Sequence, residues 1–359
     1  MSLLAGNVGV ALASNDQPGA VYVQTNQADG NAIAIYDRSA DGALTLSATV
    51  PTGGFGTGSG LGSQGSLILS DDGRLLFSVN AGSNEISTFR VDPDGLTWLD
   101  KVPSGGIRPT SLALHKNLLY VLNTGGSGNI SGFLVDQAGQ LTPLAGSTRP
   151  LSNNGAGAAP APAQVSFSRD GRMLVVTERA SNMIVTYAVD KDGLASDPSA
   201  HASSGVTPFG FAFTQQGALI VSEAFGGAAL ASAVSSYDVS NGGFQVVSAS
   251  VPTGETAACW IAVSKNGKFA YSTNAGSGSV SAYRVGTDGS LSLIDGRAGF
   301  TGDGTSPIDA SVDVSGQYLY VLNGRTQNIA AFAIQADGTL IAIGTFEGLP
   351  AGSAGITSW

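Results

Sequence analysis

The chain has 359 residues, and its formal net charge is −10, with acidic residues scattered rather than grouped. This balance, without a basic stripe, argues against nucleic acid or an anionic membrane as a partner. Hydrophobic residues make up 42% of the chain, enough for a large core, yet no run of 18 or more apolar residues predicts a membrane span. The single cysteine excludes an intrachain disulfide.

The first 19 residues read as an N-terminal extension. Residues 3–13 are apolar and resemble the end of an export signal, although no basic residue precedes them. They suit a trimmed signal or an artificial addition. The localisation stays open, with a lean towards an exported or periplasmic protein. We expect residues 20–359 to form one domain.

One repeat unit is legible in residues 64–103. Two short apolar strands meet at the polar turn 71–74, and the second strand ends at Asn80. Two further strands follow, joined by Asp94-Gly95. Asp-Gly between alternating strands is a strong hairpin signal because glycine adopts a positive φ at little cost.

The same unit recurs along the whole chain. A polar residue that closes a strand recurs at intervals of 43 to 55 residues, at Asn26, Asn80, Asn123, Glu178, Glu223, Asn274 and Asn323. A second hairpin turn recurs independently, at Asp41-Gly42, Asp94-Gly95, Ala138-Gly139, Asp192-Gly193, Gly242-Gly243, Asp288-Gly289 and Asp337-Gly338. Repeats of this length with several strands each are typical of propeller blades.

These patterns predict an all-β fold, a seven-bladed β-propeller with four-stranded antiparallel blades. The first clear strand, residues 20–25, is the second strand of its blade. We expect the C-terminal strand at residues 355–359 to complete that blade and close the ring, which protects strand edges. The alternative is that residues 8–13, rather than residues 355–359, form the inner strand of that blade.

Propeller geometry predicts on which face of the ring each residue lies. The second strand of each blade ends on the face where the first strand begins, here called the top face. The hairpin turns with glycine lie on the opposite face. We expect two groups of residues to lie on the top face. At the starts of first strands these are Arg108, Gln164, Phe209, Trp260 and Asp309. At the ends of second strands they are Asn80, Asn123, Glu178, Arg179, Glu223, Asn274, Asn323 and Arg325.

Several segments resemble the seven-bladed lactonase-type propellers. They are LYVLN at residues 119–123, YLYVLN at residues 318–323 and Val221-Ser222-Glu223, and the resemblance covers roughly residues 20–359. That family includes bacterial 6-phosphogluconolactonase and the fungal carboxymuconate cyclase. The resemblance implies the closed ring and a lactonase, which is a carboxylic ester hydrolase.

The starts of the first strands depart from that family's pattern. Family enzymes carry histidine or Arg-His at several of these places, whereas this chain has Gln164, Phe209 and Asp309 there. Its only histidines are His115, in a first hairpin turn, and His201, in an outer strand or loop. The departure leaves open whether the protein is an enzyme.

Glu178 and Glu223 replace asparagine on adjacent blades, and we expect them to face each other at the channel mouth. Paired carboxylates suit acid–base work near neutral pH. Arginines hold carboxylates or phosphates, and the candidates are Arg108, Arg179 and Arg325. Gln164, Phe209, Trp260 and Asp309 are the other candidate substrate contacts. The alternative is that each glutamate merely caps its turn.

The same pattern allows a weaker metal hypothesis. Oxygens of Asn80, Asn123, Asn274 and Asn323 suit Ca²⁺ or Mg²⁺ if they converge. Asparagine also favours such turns by bonding its own backbone, and we expect no cofactor. Trp260 either stacks on a ligand or fills the wedge between blades, and Cys259 reads as a buried packing thiol.

Two functions follow from these residues. One is lactonase-like hydrolysis of a small anionic lactone or cyclic ester at the central-channel mouth, with Glu178 or Glu223 activating water. The other is a non-catalytic propeller that binds a protein, a glycan or a small ligand on its top face. We expect a monomer with a small molecule as its ligand or substrate.

Overall fold

The computed structural model describes residues 19–240 and 243–359. The export-signal-like residues 3–13 and the rival inner strand at residues 8–13 lie outside this part. The strands, in chain order, are β1 (Gly19–Gln24), β2 (Ala32–Arg38), β3 (Leu44–Pro51), β4 (Leu67–Leu69), β5 (Leu75–Asn80), β6 (Glu85–Asp92), β7 (Gly95–Pro103), β8 (Pro109–His115), β9 (Leu118–Asn123), β10 (Asn129–Val135), β11 (Leu141–Pro143), β12 (Arg149–Pro150), β13 (Pro162–Phe167), β14 (Met173–Glu178), β15 (Met183–Ala188), β16 (Ser199–Ala202), β17 (Pro208–Phe213), β18 (Leu219–Glu223), β19 (Ala233–Asp238), β20 (Gln245–Pro252), β21 (Ala258–Val263), β22 (Phe269–Asn274), β23 (Ser279–Val285), β24 (Leu291–Phe300), β25 (Pro307–Val312), β26 (Tyr318–Asn323), β27 (Asn328–Ile334), β28 (Leu340–Phe346) and β29 (Ile356–Ser358). A single-turn 3₁₀ helix spans Phe225–Gly227. In the described ranges, no helix is long and apolar enough to cross a membrane.

The strands form seven antiparallel sheets, which confirms the seven-bladed β-propeller. Blade 1 consists of β29 and β1–β3, blade 2 of β4–β7, and blade 3 of β8–β11 with β12 as an extra edge piece on β10. Blades 4 to 7 use β13–β16, β17–β20, β21–β24 and β25–β28. In six blades the second strand ends at the predicted polar residue. In blade 1, β1 ends at Gln24, and Asn26 follows in a loop.

The core lies in the wedges between neighbouring blades. Val21 of blade 1 packs in one cluster with Tyr320 of blade 7, and Phe77 of blade 2 packs in another with Val121 of blade 3. All four side chains are fully buried or nearly so. Each such side chain contributes about 1.5–3 kcal/mol of hydrophobic stabilisation. Blades are therefore held side by side mainly by the faces of their inner strands.

The C-terminal strand closes the ring, as predicted. In blade 1, β29 pairs with β1, and the register aligns Ile356 with Val23 and Ser358 with Val21. The Trp359 ring packs against Gly73 of blade 2, where a Cβ would lie 2.6 Å from the indole. The two ends of the described chain thus share one sheet, and its inner edge is not left open.

Backbone hydrogen bonds fix the two faces. In blade 4 the N–H of Arg179, which follows β14, donates to the carbonyl of Ala161, which precedes β13. Thr124 and Arg108 of blade 3 make the equivalent bond, as do Arg325 and Thr305 near the equivalent position of blade 7. The start of each first strand and the end of each second strand therefore share the top face. Six of the predicted hairpin turns with glycine lie on the face opposite the top face. Gly242 of the seventh turn is outside the described residues.

Five blades begin their first strand from a strained backbone position. The residue just before the strand has a φ between 53° and 60° without being glycine, at Arg108, Ala161, Thr207, Ala257 and Ser306. A β-bulge follows in each of these strands. Non-glycine residues rarely adopt this left-handed conformation. Its recurrence shows that the fold fixes the direction in which each blade leaves the top face.

Candidate functional site

The first strands surround the channel, and side chains cap their inner edges. The Gln164 amide donates to the Phe211 carbonyl at 2.9 Å and accepts from the Phe211 N–H at 2.7 Å. In the same way, Asp309 Oδ2 accepts from the Ile356 N–H at 3.2 Å. Each contact links one blade to the next. Gln164 and Asp309, predicted as substrate contacts, are thus engaged in joining blades.

Gln64 reaches across the ring and was missed as a site residue. From the connection between blades 1 and 2, its Nε2 donates to the Ile261 carbonyl of blade 6 at 3.0 Å, and its Oε1 accepts from the Ile261 N–H at 3.3 Å. Its backbone bonds Ala163 of blade 4 and the Ser111 hydroxyl of blade 3. At Gly210 of blade 5, a Cβ would lie 2.5 Å from Gln64 Oε1. The glycine-rich residues 53–65, which connect blades 1 and 2, therefore also plug the channel.

Three of the predicted residues come together above this plug. The guanidinium carbon of Arg179 lies 4.7 Å from the Phe209 ring centre, a cation–π contact. The Phe209 ring in turn meets Trp260 edge-to-face, with 4.7 Å between ring centres. Gly62 of the glycine-rich segment borders the guanidinium, since a Cβ there would lie 3.6 Å from Arg179 Nη1. We call Arg179, Phe209, Trp260 and Gly62 the mouth cluster.

The mouth cluster carries positive charge without a carboxylate partner. Among the described residues, Arg108, Arg179 and Arg325 form no ion pair. The Nε–H of Arg179 donates to the Ala161 carbonyl at 3.1 Å, which fixes the guanidinium. Burial lowers the pKa of Arg179, and the charge of Arg108 lowers it further. An arginine keeps its proton near neutral pH, so the cluster holds a positive charge that no carboxylate side chain of the described residues neutralises.

Glu178 and Glu223 are not joined to each other. Glu178 accepts hydrogen bonds from the backbone N–H and the hydroxyl of Ser152 and from the Ser181 hydroxyl. Glu223 Oε1 accepts from the Gly205 N–H at 2.7 Å and from the Ser235 hydroxyl at 2.5 Å. The two glutamates share no hydrogen-bond partner, and both are fully buried. Their predicted catalytic roles remain predictions.

The two glutamates differ in one respect. Both oxygens of Glu178 accept hydrogen bonds. In contrast, Glu223 Oε2 is buried and has no hydrogen-bond partner. A buried carboxylate oxygen that lacks a donor is costly. Of the pair, Glu223 alone therefore has a carboxylate oxygen without a hydrogen-bond donor among the described residues.

The asparagines form hydrogen bonds within their own blade or with the end of the preceding blade. Asn80 accepts from the Thr52 hydroxyl at 2.7 Å, and Asn123 accepts from the Ser104 hydroxyl at 2.7 Å. The amides of Asn274 and Asn323 donate to the Ser281 hydroxyl and to Asn328, respectively. In the described part of the chain, the Oδ1 atoms of Asn274 and Asn323 are buried without a hydrogen-bond partner, and the role of the four asparagines in binding Ca²⁺ or Mg²⁺ stays a prediction. Within residues 19–240 and 243–359, no group of three or more His, Cys, Asp or Glu side chains could hold a metal ion.

Asp309 is the buried carboxyl among the predicted substrate contacts. Burial raises its pKa to about 7, partly offset by hydrogen bonds from the N–H groups of Ala310 and Ile356. Trp260 is 2% exposed, which favours its packing role between blades. The Cys259 thiol is buried, as predicted, and burial raises its pKa to about 12.

Neither histidine lies near the mouth cluster, as the sequence indicated. His115 ends β8 on the opposite face. His201, in β16, stacks on Phe244 with 4.2 Å between ring centres. His201 also lines a groove of about 950 Å³ on the opposite face, together with Arg172 and Met173. The mouth cluster and this groove are therefore separate features.

Comparison with known proteins gives a consistent family match. The family model described as "Lactonase, 7-bladed beta-propeller" matches residues 20–153, 146–224 and 224–348. A search of curated proteins found no significant match.

Solved structures show the same fold. A protein of Bacteroides uniformis, named provisionally as a 6-phosphogluconolactonase, is 18% identical with a TM-score of 0.73, and the match covers 96% of this chain and 100% of that one. The periplasmic gluconolactonase of Pseudomonas aeruginosa is 18% identical with a TM-score of 0.72, covering 95% and 99%. At these identities the likeness establishes the fold.

Proposed function

Because the chain belongs to the seven-bladed β-propeller lactonase family, we propose that it hydrolyses a small anionic lactone or cyclic ester on its top face. The observation that carries the proposal is Arg179, a half-buried guanidinium without a carboxylate partner, held over Phe209. Two of the structures that share the fold are named for lactonases of sugar acids. A phosphorylated lactone of that class carries an anionic group that Arg179 would bind, whereas an unphosphorylated sugar lactone becomes an anion only after its ring is opened.

The reaction needs few groups. Water adds to the lactone carbonyl carbon, the ring C–O bond breaks, and the ring oxygen takes a proton to become a hydroxyl. A carboxylate must accept a proton from the water, and a fixed cation must hold the anionic substrate. In this proposal Glu223, a buried carboxylate whose Oε2 lacks a hydrogen-bond donor, accepts the proton once water enters its site, and Arg179 supplies the cation. The exposed Arg108 and Arg325 attract the anion to the face.

A second candidate function has support of its own. Glu178 and Glu223 sit where asparagines anchor other blades, and their hydroxyl and N–H donors suit that structural role. Gln64 also closes the channel. A non-catalytic propeller that binds a small anion on its top face would keep the mouth cluster and need neither glutamate as a base.

A panel of sugar, aliphatic and aromatic lactones decides between the two functions. Turnover is measured for the wild type with EDTA and Ca²⁺ arms, and for Arg179→Gln, Glu223→Gln and Glu178→Gln. We expect Glu223→Gln to abolish turnover while folding stays nearly intact, and Arg179→Gln to raise KM at least tenfold. Arg74→Gln is the matched control, since Arg74 lies in a hairpin turn of the opposite face beside Asp72.

Each outcome favours or excludes one of the proposed roles. Turnover that survives Glu223→Gln removes Glu223 from the mechanism and leaves Glu178 as the carboxylate to test. The absence of turnover across the whole panel would overturn the hydrolase proposal in favour of a binding propeller. Loss of turnover in EDTA with recovery in Ca²⁺ would show that the reaction depends on a metal ion.

A further inference from the structure

The geometry points to a two-sided oxyanion site, with the Arg179 guanidinium on one side and backbone N–H groups of residues 61–63 on the other. This inference deepens the proposed function and rests on it. The glycine-rich segment then acts as a binding element for the anionic group of the ligand, a carboxylate or a phosphate, as well as a connection between blades.

The first observation is the close approach of Gly62 to Arg179. A Cβ at Gly62 would lie 3.6 Å from Arg179 Nη1 and 3.7 Å from Nη2, and Gly62 has a φ of 62°. Since glycine has no Cβ, the backbone here meets the guanidinium without a side chain between them. An oxygen of a small anion could therefore approach both groups.

The second observation concerns the donors of the segment. The N–H groups of Gly56, Gly58 and Gln64 donate to the carbonyls of Gln27, Asn26 and Ala163. In contrast, the described structure gives no hydrogen bond from the N–H groups of Leu61, Gly62 and Ser63. Unpaired backbone donors in a glycine-containing turn form anion-binding concavities.

The third observation is that the segment is held rigidly at both ends of this stretch. The Ser63 hydroxyl donates to the Thr110 carbonyl at 2.6 Å, and Leu61 is buried in the core of blades 2 and 3. Next to them, Gln64 is bonded to Ile261 across the channel. Donors that are fixed before the ligand arrives cost little to organise on binding.

Arg179 and the segment complement each other chemically. The guanidinium offers two parallel N–H donors to a planar or tetrahedral oxyanion. Phe209 beneath it and the Ala161 carbonyl at its Nε fix the plane of the fork. The N–H groups of residues 61–63 would bind the remaining oxygen. A neutral ligand would gain little from this arrangement.

Two glycines of the same segment provide a matched pair of variants. Gly62→Ala places a methyl group beside the guanidinium. Gly58→Ala imposes the same backbone strain, since Gly58 has a φ of 69°, but its Cβ would meet Ala28 at 3.4 Å, away from Arg179. Both variants are checked by thermal unfolding, so that loss of binding can be separated from loss of fold.

The test measures binding of inorganic phosphate and of gluconate by calorimetry, beside lactone turnover. We expect Gly62→Ala and Arg179→Gln each to raise the Kd at least tenfold, and Gly58→Ala to keep the wild-type Kd. Binding of phosphate alone would assign the site to phosphorylated ligands, and binding of gluconate alone to carboxylates. A wild-type Kd in folded Gly62→Ala, or no binding of either probe by the wild type, would overturn the inference.

The same measurements keep the two proposals apart. Lactone turnover with an unchanged Kd in Gly62→Ala would refute the two-sided site and leave the hydrolase proposal standing. Anion binding that depends on Gly62, without turnover of any lactone, would refute the hydrolase proposal and leave the site standing.

Discussion

Gln64 and Ile261, which are 197 residues apart, pair through both polar atoms of the glutamine side chain across the central channel. The amide donates at 3.0 Å and accepts at 3.3 Å, in the manner of an added β-strand residue. Trp260 and Cys259 directly precede Ile261 in the same strand. One side chain from the blade 1–blade 2 connection therefore positions the strand that carries Trp260 of the mouth cluster.

Removing this amide should cost stability. In Gln64→Ala the N–H and the carbonyl of Ile261 lose their hydrogen-bond partners. We expect the free energy of unfolding to fall by about 1–3 kcal/mol, because two part-buried polar groups are then left without a hydrogen bond. Gln140→Ala is the control, since the exposed Gln140 makes a single bond to the Leu99 carbonyl, and it should change stability by under about 0.5 kcal/mol. Denaturant unfolding of both variants measures the difference, and equal values would show that the pairing does not stabilise the ring.

Ring closure makes a second prediction. Deleting residues 355–359 removes three contacts. They are the pairing of β29 with β1, the Ile356 N–H that donates to Asp309, and the Trp359 indole packed on Gly73. We expect destabilisation by several kcal/mol, since an inner strand edge and a core cluster become exposed. Thermal unfolding checks this, and an unshifted Tm would contradict closure by the C-terminal strand. Trp359→Ala separates the contribution of the indole from that of the strand.

The repeat could be predicted because its signals are local. A strand that ends at Asn123 and a turn at Asp288-Gly289 are each specified by a few neighbouring residues, and their spacing repeats along the chain. The closing role of residues 355–359 followed from a missing inner strand. Sequence therefore predicted the blades, the closure and the two faces.

The arrangement at the mouth depended on contacts between distant residues. Nothing near Glu178 indicates that Ser152, on another connection, would occupy its carboxylate. The path of residues 53–65 over the ring, which brings Gly62 to Arg179, is equally invisible to a local pattern. Gln64 offered a clue, since it lies just before the first strand of blade 2 as Gln164 lies near the start of the first strand of blade 4, and both amides bond the backbone of another blade.

The strained first-strand starts give a third prediction. Ala257 has a φ of 57°, a conformation that costs a residue with a Cβ about 1 kcal/mol. Ala257→Gly should remove that cost, partly offset by the greater freedom of glycine in the unfolded chain, and should leave stability unchanged or raised by up to about 1 kcal/mol. Ala212→Gly, within β17, is the control and should destabilise. A clear loss of stability in Ala257→Gly would contradict the strain.

Asp309 should make the stability of the ring depend on pH. Burial raises its pKa from 3.8 to about 7, so the folded protein holds this proton more tightly than the unfolded chain does. The stabilisation is complete below about pH 4 and is lost as the pH rises through about 7. Because one pKa unit corresponds to about 1.4 kcal/mol, ionisation of Asp309 costs on the order of 4 kcal/mol.

Asp309→Asn removes the titrating group and should flatten the fall in stability between pH 5 and pH 8, although the amide loses one acceptor for the N–H groups of Ala310 and Ile356. Ser311→Ala is the control, because it removes a non-titrating contact with Ser358 at the same junction and should lower stability equally at each pH. Denaturant unfolding at pH 5, 6, 7 and 8 gives the slopes. A wild-type slope in Asp309→Asn would show that the carboxyl is not the group that titrates, and the closure of blade 1 would then be insensitive to its charge.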